Sequence, residues 1–493
     1  MHRWTRRLKD MCGVHSFREG TGPPNCTKPL EFDEAHDMPD HTFFQGWLDK
    51  FRIRRAQDFG SVRRGQDDVP IHRLPVELLS QIFMHCLEFR GVVTLCAARL
   101  DSLHQPIILS HVCALWRDLA IDLPALWRRL SLHPCNGRIN QYQLGRLFIA
   151  RAKNLPLIVE YEDAVFERDI CPCALNLVVE NLAKIGQLDL WLTQSSVRRF
   201  SLLPTDITPS LERLSVQVCP GDQEHVQLSM LQRVYTTSPK LHALCWGSPE
   251  FPPNVPWSQL VDLCMSPHCQ ISHSSLAYIL SSTPRLQELI VTICPVTQED
   301  VIPSRAIPQG HLRYLDFTVD GPLDGIFQVL CAPLLESMTL RPHSAAGWYF
   351  SDESVVVEFL NRATRGLQSL ALLAPHAFSV QCLLSCLSLP QSSSILSLHM
   401  HDLPALDDNF FERLDARYSH DGTYLLPRLE KLDAGYCVTT DGIIASMVRS
   451  RIDDHHPLHH ANFDYKPGEA AAHPMDVSLL EDLQRSGTDI TWW

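Results

Sequence analysis

Residues 283–291 have the sequence TPRLQELIV, in which Leu286 is followed by Leu289 three residues later and by Val291 two residues beyond that. A single Leu-x-x-Leu pair is common in any protein and predicts nothing. Here the pattern recurs, and its copies begin at Leu211, Leu241, Leu260, Leu286, Leu312, Leu335, Leu367, Ile395 and Leu429. Successive copies start 19 to 34 residues apart. Self-similarity at this spacing indicates a solenoid of related units.

The segments around the copies predict what each unit contains. Several copies follow a proline, as in SPKLHAL at 238–244 and LPRLEKL at 426–432, where the proline ends a helix before a strand starts. Helix-like runs such as SSLAYILSS at 274–282 lie between copies. We therefore expect residues 134–493 to form an irregular, curved, leucine-rich-repeat-like array, an α+β or α/β solenoid. A conventional α/β domain or another helical array is the alternative.

Residues 70–133 have a different pattern, that of a small helical unit. LPVELLSQIFMHCL at 74–87 has helical apolar spacing, with Pro75 in the opening turn, and predicts an amphipathic helix. PIILSHVCALWRDLAI at 106–121 predicts a second helix of similar length, and RLSL at 129–132 predicts a short strand. The first segment carries more large apolar residues than such a small unit can bury, which predicts a partner that covers them, with packing on the repeat array as the alternative.

These two segments resemble the F-box, in the form that is abundant in fungal F-box families. The resemblance rests on Leu74-Pro75-x-Glu77-Leu78-Leu79 with Ile82-Phe83, on Val112-Cys113 with Trp116-Arg117 and Leu119-Ala120, and on the closing Leu126-Trp127. It implies a three-helix domain over 70–133 that binds a Skp1-like adaptor and, through it, a cullin-RING ubiquitin ligase. The residues that the resemblance assigns to Skp1 binding are Leu74, Pro75, Leu78, Leu79, Ile82, Phe83, Val112, Trp116 and Leu119.

Two further features bear on the resemblance. The connection at 88–105, EFRGVVTLCAARLDSLHQ, is longer than is usual in the family. The stretch at 426–448, with Cys437 followed by Asp441-Gly442, is similar to the cysteine-type leucine-rich repeats of F-box proteins.

Composition limits the class of protein. The 493 residues carry a formal net charge of −13, which repels a phosphate backbone, so we expect no nucleic-acid partner. The 17 cysteines are scattered through apolar stretches and predict reduced thiols. No apolar run is long enough for a membrane span, and the basic start lacks the apolar core of a signal peptide. We expect a cytoplasmic or nuclear protein, not attached to a membrane, with residues 1–69 as a flexible leader.

The sequence contains no motif that predicts catalysis. It has no glycine-rich phosphate loop and no Gly-x-Ser-x-Gly elbow. CPC at 171–173 has no second pair at zinc spacing, and the histidine tract DDHHPLHH at 453–460 is interrupted by a proline with no cysteine nearby, which favours a solvated loop over a metal site. We therefore predict no enzyme, no cofactor and no metal.

Two hypotheses of function follow from the resemblance and the repeats. The first is a substrate-recognition adaptor of a Skp1-cullin-F-box ubiquitin ligase, whose repeat surface binds a protein target of unknown identity. The alternative is an interaction scaffold that binds proteins without delivering them for ubiquitination. Measured turnover of a bound target distinguishes the two.

Overall fold

The structure is a computed structural model that describes part of the chain. The described residues are 70–88, 105–134, 141–163, 172–198, 200, 208–218, 229–236, 238–249, 251–265, 269–295, 304–373, 375–401, 406–417, 424–452, 458–465, 472–485 and 487–492. The predicted leader at 1–69, nearly all of the connection at 88–105 and residues 453–457 of the histidine tract lie outside them.

Helices and strands alternate along most of the described chain. The helices are α1 (Val76–Glu88), α2 (Gln105–Ser110), α3 (Ala114–Asp122), α4 (Gln141–Ala152), α5 (Cys173–Glu180), α6 (Gln194–Val197), α7 (Ser229–Tyr235), α8 (His273–Ser282), α9 (Asp324–Val329), α10 (Ser354–Asn361), α11 (Val380–Leu387), α12 (Asp408–Leu414), α13 (Ile443–Ile452) and α14 (Pro474–Arg485). The strands are β1 (Arg129–Leu132), β2 (Leu157–Glu162), β3 (Ile185–Leu192), β4 (Arg213–Val218), β5 (Ala243–Gly247), β6 (Asp262–Met265), β7 (Gln270–Ile271), β8 (Glu288–Ile293), β9 (Ile307–Pro308), β10 (Tyr314–Val319), β11 (Gly321–Pro322), β12 (Leu330–Cys331), β13 (Ser337–Arg341), β14 (Trp348–Tyr349), β15 (Ser369–Leu373), β16 (Pro375–Ala377), β17 (Ser397–His401), β18 (Lys431–Cys437), β19 (His460–Tyr465) and β20 (Asp489–Trp492).

The described residues belong to two compact units. The first comprises 70–159 and 172–180, and the second comprises 160–163 and 181–492, each with the gaps given above. In the first unit, α1 packs on α2 and α3. Phe83 of α1 is fully buried, and its ring lies 4.8 Å from the Trp116 ring of α3. An aromatic pair of this kind holds the two helices together.

The single second helix predicted over 106–121 is wrong, because the structure divides it into α2 and α3. Cys113 between them has extended backbone, with φ −158° and ψ 175°, and its Sγ accepts a hydrogen bond from Trp116 N at 3.4 Å. Ser110 Oγ bonds back to Ile107 O at 2.7 Å at the end of α2. Side chains that bond to nearby backbone groups compete with the helical ladder, and apolar periodicity does not register that competition.

Trp127 anchors the segment that follows α3. Its buried indole donates a hydrogen bond from Nε1 to Ala120 O at 2.6 Å, and Phe148 of α4 lies edge-on at 5.0 Å. The Arg151 guanidinium lies 4.2 Å from the centre of the same ring, within cation–π range. Trp127 therefore links the end of α3, through Ala120, to α4, through Phe148 and Arg151.

The second unit is built on one long parallel sheet with helices between its strands, so the predicted α+β class is confirmed. From β3 onward the strand order is β3-β4-β5-β6-β8-β10-β13-β15-β17-β18-β19-β20. The second apolar residues of the copies pair with each other from strand to strand, as Leu263, Leu289 and Leu315 do. The whole row is Leu188, Leu214, Leu244, Leu263, Leu289, Leu315, Met338, Leu370, Leu398, Leu432, Ala461 and Ile490. The strands follow each other across the sheet in chain order, which is compatible with a solenoid.

The first leucine of each copy closes a turn into the strand. Leu286 N donates to Thr283 O at 3.2 Å across Pro284, and Leu241 N donates to Ser238 O at 3.3 Å. Proline suits the second position of such a turn because its φ is already fixed there. The proline before each of these two copies thus lies in the turn that leads into the strand.

Helices return the chain from one strand to the next. The run at 274–282 lies in α8, as predicted from its spacing, and α9, α10 and α11 connect later strands in the same way. Phe327 of α9 packs its ring against Phe317, Phe350 and Phe359. The short strands β11, β14 and β16 form a second parallel sheet of three strands. No described helix combines the length and apolar character that crossing a bilayer demands.

Candidate functional site

The helices of the first unit expose an unusual number of large apolar side chains. Half of the exposed large hydrophobic side chains among the described residues lie between residues 76 and 115. We call these the exposed apolar set: Val76, Leu78, Ile82, Ile108, Val112 and Leu115, with exposed fractions of 52, 45, 38, 54, 54 and 41%. Single exposed apolar residues are ordinary, but a concentration of them on one small unit marks a candidate interaction site.

The structure places the nine residues assigned to Skp1 binding on α1, on α3 or in the turns beside these helices. The nine residues differ in burial. Pro75, Leu78, Ile82 and Val112 are exposed. Leu74, Trp116 and Leu119 are half-buried. Leu79 and Phe83 are fully buried, at 0% exposure. The last two therefore belong to the core of this helical unit.

The helices that carry the exposed apolar set pack on each other through buried residues. Leu79 and Phe83 of α1 are fully buried, and the Phe83 ring lies 4.8 Å from the Trp116 ring of α3, tilted at 59° to it. Helices that are already packed lose less conformational entropy when a partner covers them.

Sequence reasoning missed Val76, Ile108 and Leu115. The signal that could have found them is the apolar residues that lie outside the buried stripe of each helix. A helix that packs on a core needs one apolar stripe, and further apolar residues on other faces are in excess of that need.

The second unit offers a polar network along one row of its sheet. Asp433 of β18 accepts from Asn462 Nδ2 at 2.8 Å, and it pairs with His399 Nδ1 at 3.3 Å and His401 Nε2 at 2.9 Å. Thr491 Oγ1 extends the network to Asn462 Oδ1 at 2.8 Å. The network therefore joins four neighbouring strands, β17 to β20.

Hydrogen bonding dominates the electrostatics of this network. Burial by itself would raise the pKa of the Asp433 carboxyl, but the bonds from His399, His401 and Asn462 hold that pKa well below its usual range. Gly435 leaves the room that His401 needs, since a Cβ at Gly435 would lie 2.8 Å from His401 Nδ1. Asp433 is thus a fixed negative charge beside two histidines.

Elsewhere on the same sheet, charged side chains pair between neighbouring repeats. Arg341 makes a two-pronged contact with Asp316, from Nε at 3.0 Å and from Nη2 at 2.6 Å. Glu336 lies between Arg313 at 3.7 Å and Arg365 at 3.0 Å. Burial raises the pKa of the Asp316 carboxyl, while Arg341 opposes that rise. Asp316 is buried, but Glu336 and the three arginines are partly exposed, and such charges can be contacted by a protein partner of complementary charge.

These polar residues were not identified from sequence. His399 and His401 alternate with Leu398 and Met400 in LSLHMH at 396–401, and alternation in a strand predicts that they lie on the opposite face from the leucines. What alternation does not predict is which residues of other strands they meet, because that depends on the register between copies with unequal spacing.

Comparison with known proteins adds little to this geometry. No protein-family model matches the sequence, and no curated protein matches it. Among solved structures, the chain is similar to a Bacteroides fragilis protein determined in crystals by the Northeast Structural Genomics Consortium. The match has 13% identity and a TM-score of 0.32, and it covers 62% of this chain and 74% of the other. This similarity is too low to transfer a fold or a function.

Proposed function

We propose that the chain is the substrate-recognition adaptor of a Skp1-cullin-F-box ubiquitin ligase: α1, α2 and α3 act as an F-box that docks a Skp1-like adaptor, and the leucine-rich-repeat-like array binds the target. The observation that carries the proposal is the exposed apolar set, which lies on the segments that resemble the F-box. In this role the protein is not itself an enzyme. It holds a target close to a conjugating enzyme and so raises the effective concentration of the reacting groups.

The sizes of the side chains support a docking role. Covering Leu78 and Ile82, which are 45 and 38% exposed, removes apolar area from water. Full burial of a fully exposed leucine or isoleucine contributes about 1.5 to 3 kcal/mol, so covering the part of each side chain that is still exposed contributes roughly 0.6 to 1.4 kcal/mol before ordering costs. Several members of the exposed apolar set acting together can therefore anchor a complex on a unit as small as three helices.

The polar rows of the sheet support a target-binding role for the array. Fixed charges such as Asp433 and partly exposed pairs such as Arg365 and Glu336 give the sheet face a defined pattern of charge. Complementary charge patterns set which partner binds and in which register. The target itself is then a protein that presents the opposite pattern.

Co-purification with a Skp1-like adaptor tests the proposal. The parent chain is expected to elute with it as one complex in gel filtration, and a variant with Leu78→Asp and Ile82→Asp is expected to elute alone. Tyr278→Asp is the matched control, because Tyr278 is 57% exposed on α8, outside the F-box-like segments. Binding by both variants, or by neither variant nor parent, contradicts the proposal.

A second measurement separates the adaptor from the scaffold. A target that binds the array is expected to be ubiquitinated in a reconstituted ligase with the parent and not with the Leu78→Asp, Ile82→Asp variant. Target modification that is the same with the parent, with the variant and without the chain would show that the chain binds proteins without delivering them.

A further inference from the structure

Three potential metal ligands meet near the end of the array. They are Asp441, which precedes α13, and His473 and Asp476, which flank the start of α14. One ligand atom from each residue lies within 4.8 Å of the other two. His473 and Asp476 are 5 and 0% exposed, and Asp441 is half-buried.

The turn after β18 and the first turn of α14 bring the three residues together. Gly442 has φ +96°, a backbone conformation that favours glycine, and it turns the chain after β18 so that α13 can begin. Asp441 accepts hydrogen bonds from Met475 N and Asp476 N, each at 3.0 Å, at the N-terminus of α14. Asp476 Oδ1 in turn accepts from Ala445 N at 2.7 Å, in the first turn of α13. Each carboxylate thus caps the other residue's helix.

Capping alone does not explain the cluster, as earlier units show. Asp324 accepts from Ser351 N and Asp352 N, both at 2.9 Å, and Asp408 accepts from Thr440 N at 2.6 Å and from its hydroxyl at 2.5 Å. Those two carboxylates accept from backbone N–H groups just before α10 and α13, much as Asp441 does at the start of α14. Neither belongs to a described cluster of potential metal ligands. What is particular to the last unit is the addition of His473 and Asp476.

Among the described residues, two buried polar atoms without a hydrogen-bond partner lie together here, His473 Nδ1 and Asp476 Oδ2. His473 Nδ1 and Asp476 Oδ2 face each other at 3.4 Å, longer than the 2.7 to 2.9 Å of a charge-assisted hydrogen bond. Buried polar atoms without partners cost free energy, and in a native structure they call for a ligand or another compensating contact.

The distance between these atoms suits a shared cation. Zn²⁺ bonds of about 2.0–2.2 Å in tetrahedral geometry place neighbouring ligand atoms roughly 3.3–3.6 Å apart. The observed 3.4 Å falls in that range. One imidazole and two carboxylates form a donor set for a divalent transition-metal ion, which accepts both nitrogen and oxygen ligands. The Tyr465 ring stacks on His473 with centroids 4.6 Å apart, which holds the imidazole in place.

We propose that Asp441, His473 and Asp476 form a binding site for one divalent transition-metal ion, Zn²⁺ or a similar cation, that ties α13 to α14. The ligand atoms are His473 Nδ1, Asp476 Oδ2 and a carboxylate oxygen of Asp441, with solvent reaching the ion past the half-buried Asp441. The ion stabilises the end of the array and performs no reaction. The site is independent of the proposed adaptor function.

Calorimetric titration of the tag-free, full-length chain with ZnCl₂ tests this site. His473→Phe keeps a ring against Tyr465 but removes the nitrogen ligand, and Asp476→Asn keeps the acceptor for Ala445 N while removing the charge. We expect one tight site per chain in the parent and a loss of at least about tenfold in affinity in both variants. Asp408→Asn, which disturbs only a capping carboxylate, is expected to bind as the parent does. Zinc affinity that is unchanged by His473→Phe, or absent in the parent, overturns the proposal.

A spectroscopic measurement on the parent alone covers the case in which a variant does not fold. The Co²⁺-loaded chain is expected to show d–d bands of nitrogen and oxygen coordination, and Zn²⁺ is expected to displace the Co²⁺. A thiolate-to-metal charge-transfer band would overturn the proposal, because the site contains no cysteine and the ion would have bound among the chain's 17 cysteines instead.

Discussion

The repeat array and the three-helix unit formed by α1, α2 and α3 differ in how far they bury their apolar residues. In the array, the second apolar residue of each copy enters one row of the sheet, and Leu289, Leu315 and Leu398 are all fully buried. In the three-helix unit, Leu79 is fully buried while its neighbour Leu78 is 45% exposed. The array uses its apolar residues to hold itself together, whereas the helical unit has apolar residues to spare. That excess is what a partner can cover, and the comparison predicts where substitutions act on folding and where they act on binding.

The largest effect is expected in the core of the array. Phe327→Ala removes a fully buried ring that contacts three other aromatic rings, and it should lower the free energy of unfolding by about 3 to 5 kcal/mol. Urea unfolding followed by circular dichroism measures it. Tyr278→Ala, on an exposed side chain of the same unit, should change stability by no more than about 0.5 kcal/mol. Equal effects of both would mean that α9 is not part of the core.

Two adjacent residues of α1 sharpen the comparison. Leu79→Ala should cost about 2 to 5 kcal/mol, because it leaves a cavity beneath the helices, and Leu78→Ala should stay within about 0.5 kcal/mol. Amide hydrogen exchange over 70–134 reports the local stability of this unit. If Leu78→Ala also destabilises it strongly, Leu78 is a core residue and the exposed apolar set is wrongly drawn.

A smaller and pH-dependent effect is expected at Asp433. Because its folded pKa lies below the unfolded value of about 3.9, its contribution is complete above that pH and is lost as the pH falls toward the folded pKa. Asp433→Asn should cost about 2 kcal/mol at pH 7, the scale of a hydrogen-bonded charge, and the gap from the parent should narrow below about pH 4.

Asp489→Asn is the control for that pH dependence. Its carboxylate also pairs with a histidine, His460, at 2.9 Å, but it is 73% exposed. Exposed ion pairs contribute little, so this variant should follow the parent at every pH. A gap between parent and Asp433→Asn that does not depend on pH would contradict the role given to the Asp433 charge.

Much of the array could be predicted from local sequence, and much of the site could not. The row that contains Leu263, Leu289 and Leu315 follows from spacing alone, since each leucine pair carries its own strand signal. The break at Cys113 was missed because apolar periodicity continues through it while the backbone does not. The division between Leu78 and Leu79 depends on how three helices pack, which no single helix encodes.

The polar networks were beyond sequence reasoning for a related reason. Asp433 and its partner Asn462 are 29 residues apart, and units of unequal length hide such pairs. His473 and Asp476 do carry a local signal, an i, i+3 pair across a helix start that follows an Asp-Gly turn in the preceding unit. The histidine tract drew attention instead, because it is denser in histidine.

A calorimetric titration of a Skp1-like adaptor into the full chain tests the central claim most directly. The account predicts a one-to-one complex for the parent. For Leu78→Asp it predicts an affinity at least about tenfold lower, since the lost apolar burial and the carboxylate placed in the covered interface together cost about 1.4 kcal/mol or more. Equal affinity for the parent and Leu78→Asp, with the variant's fold intact by circular dichroism, would contradict the account.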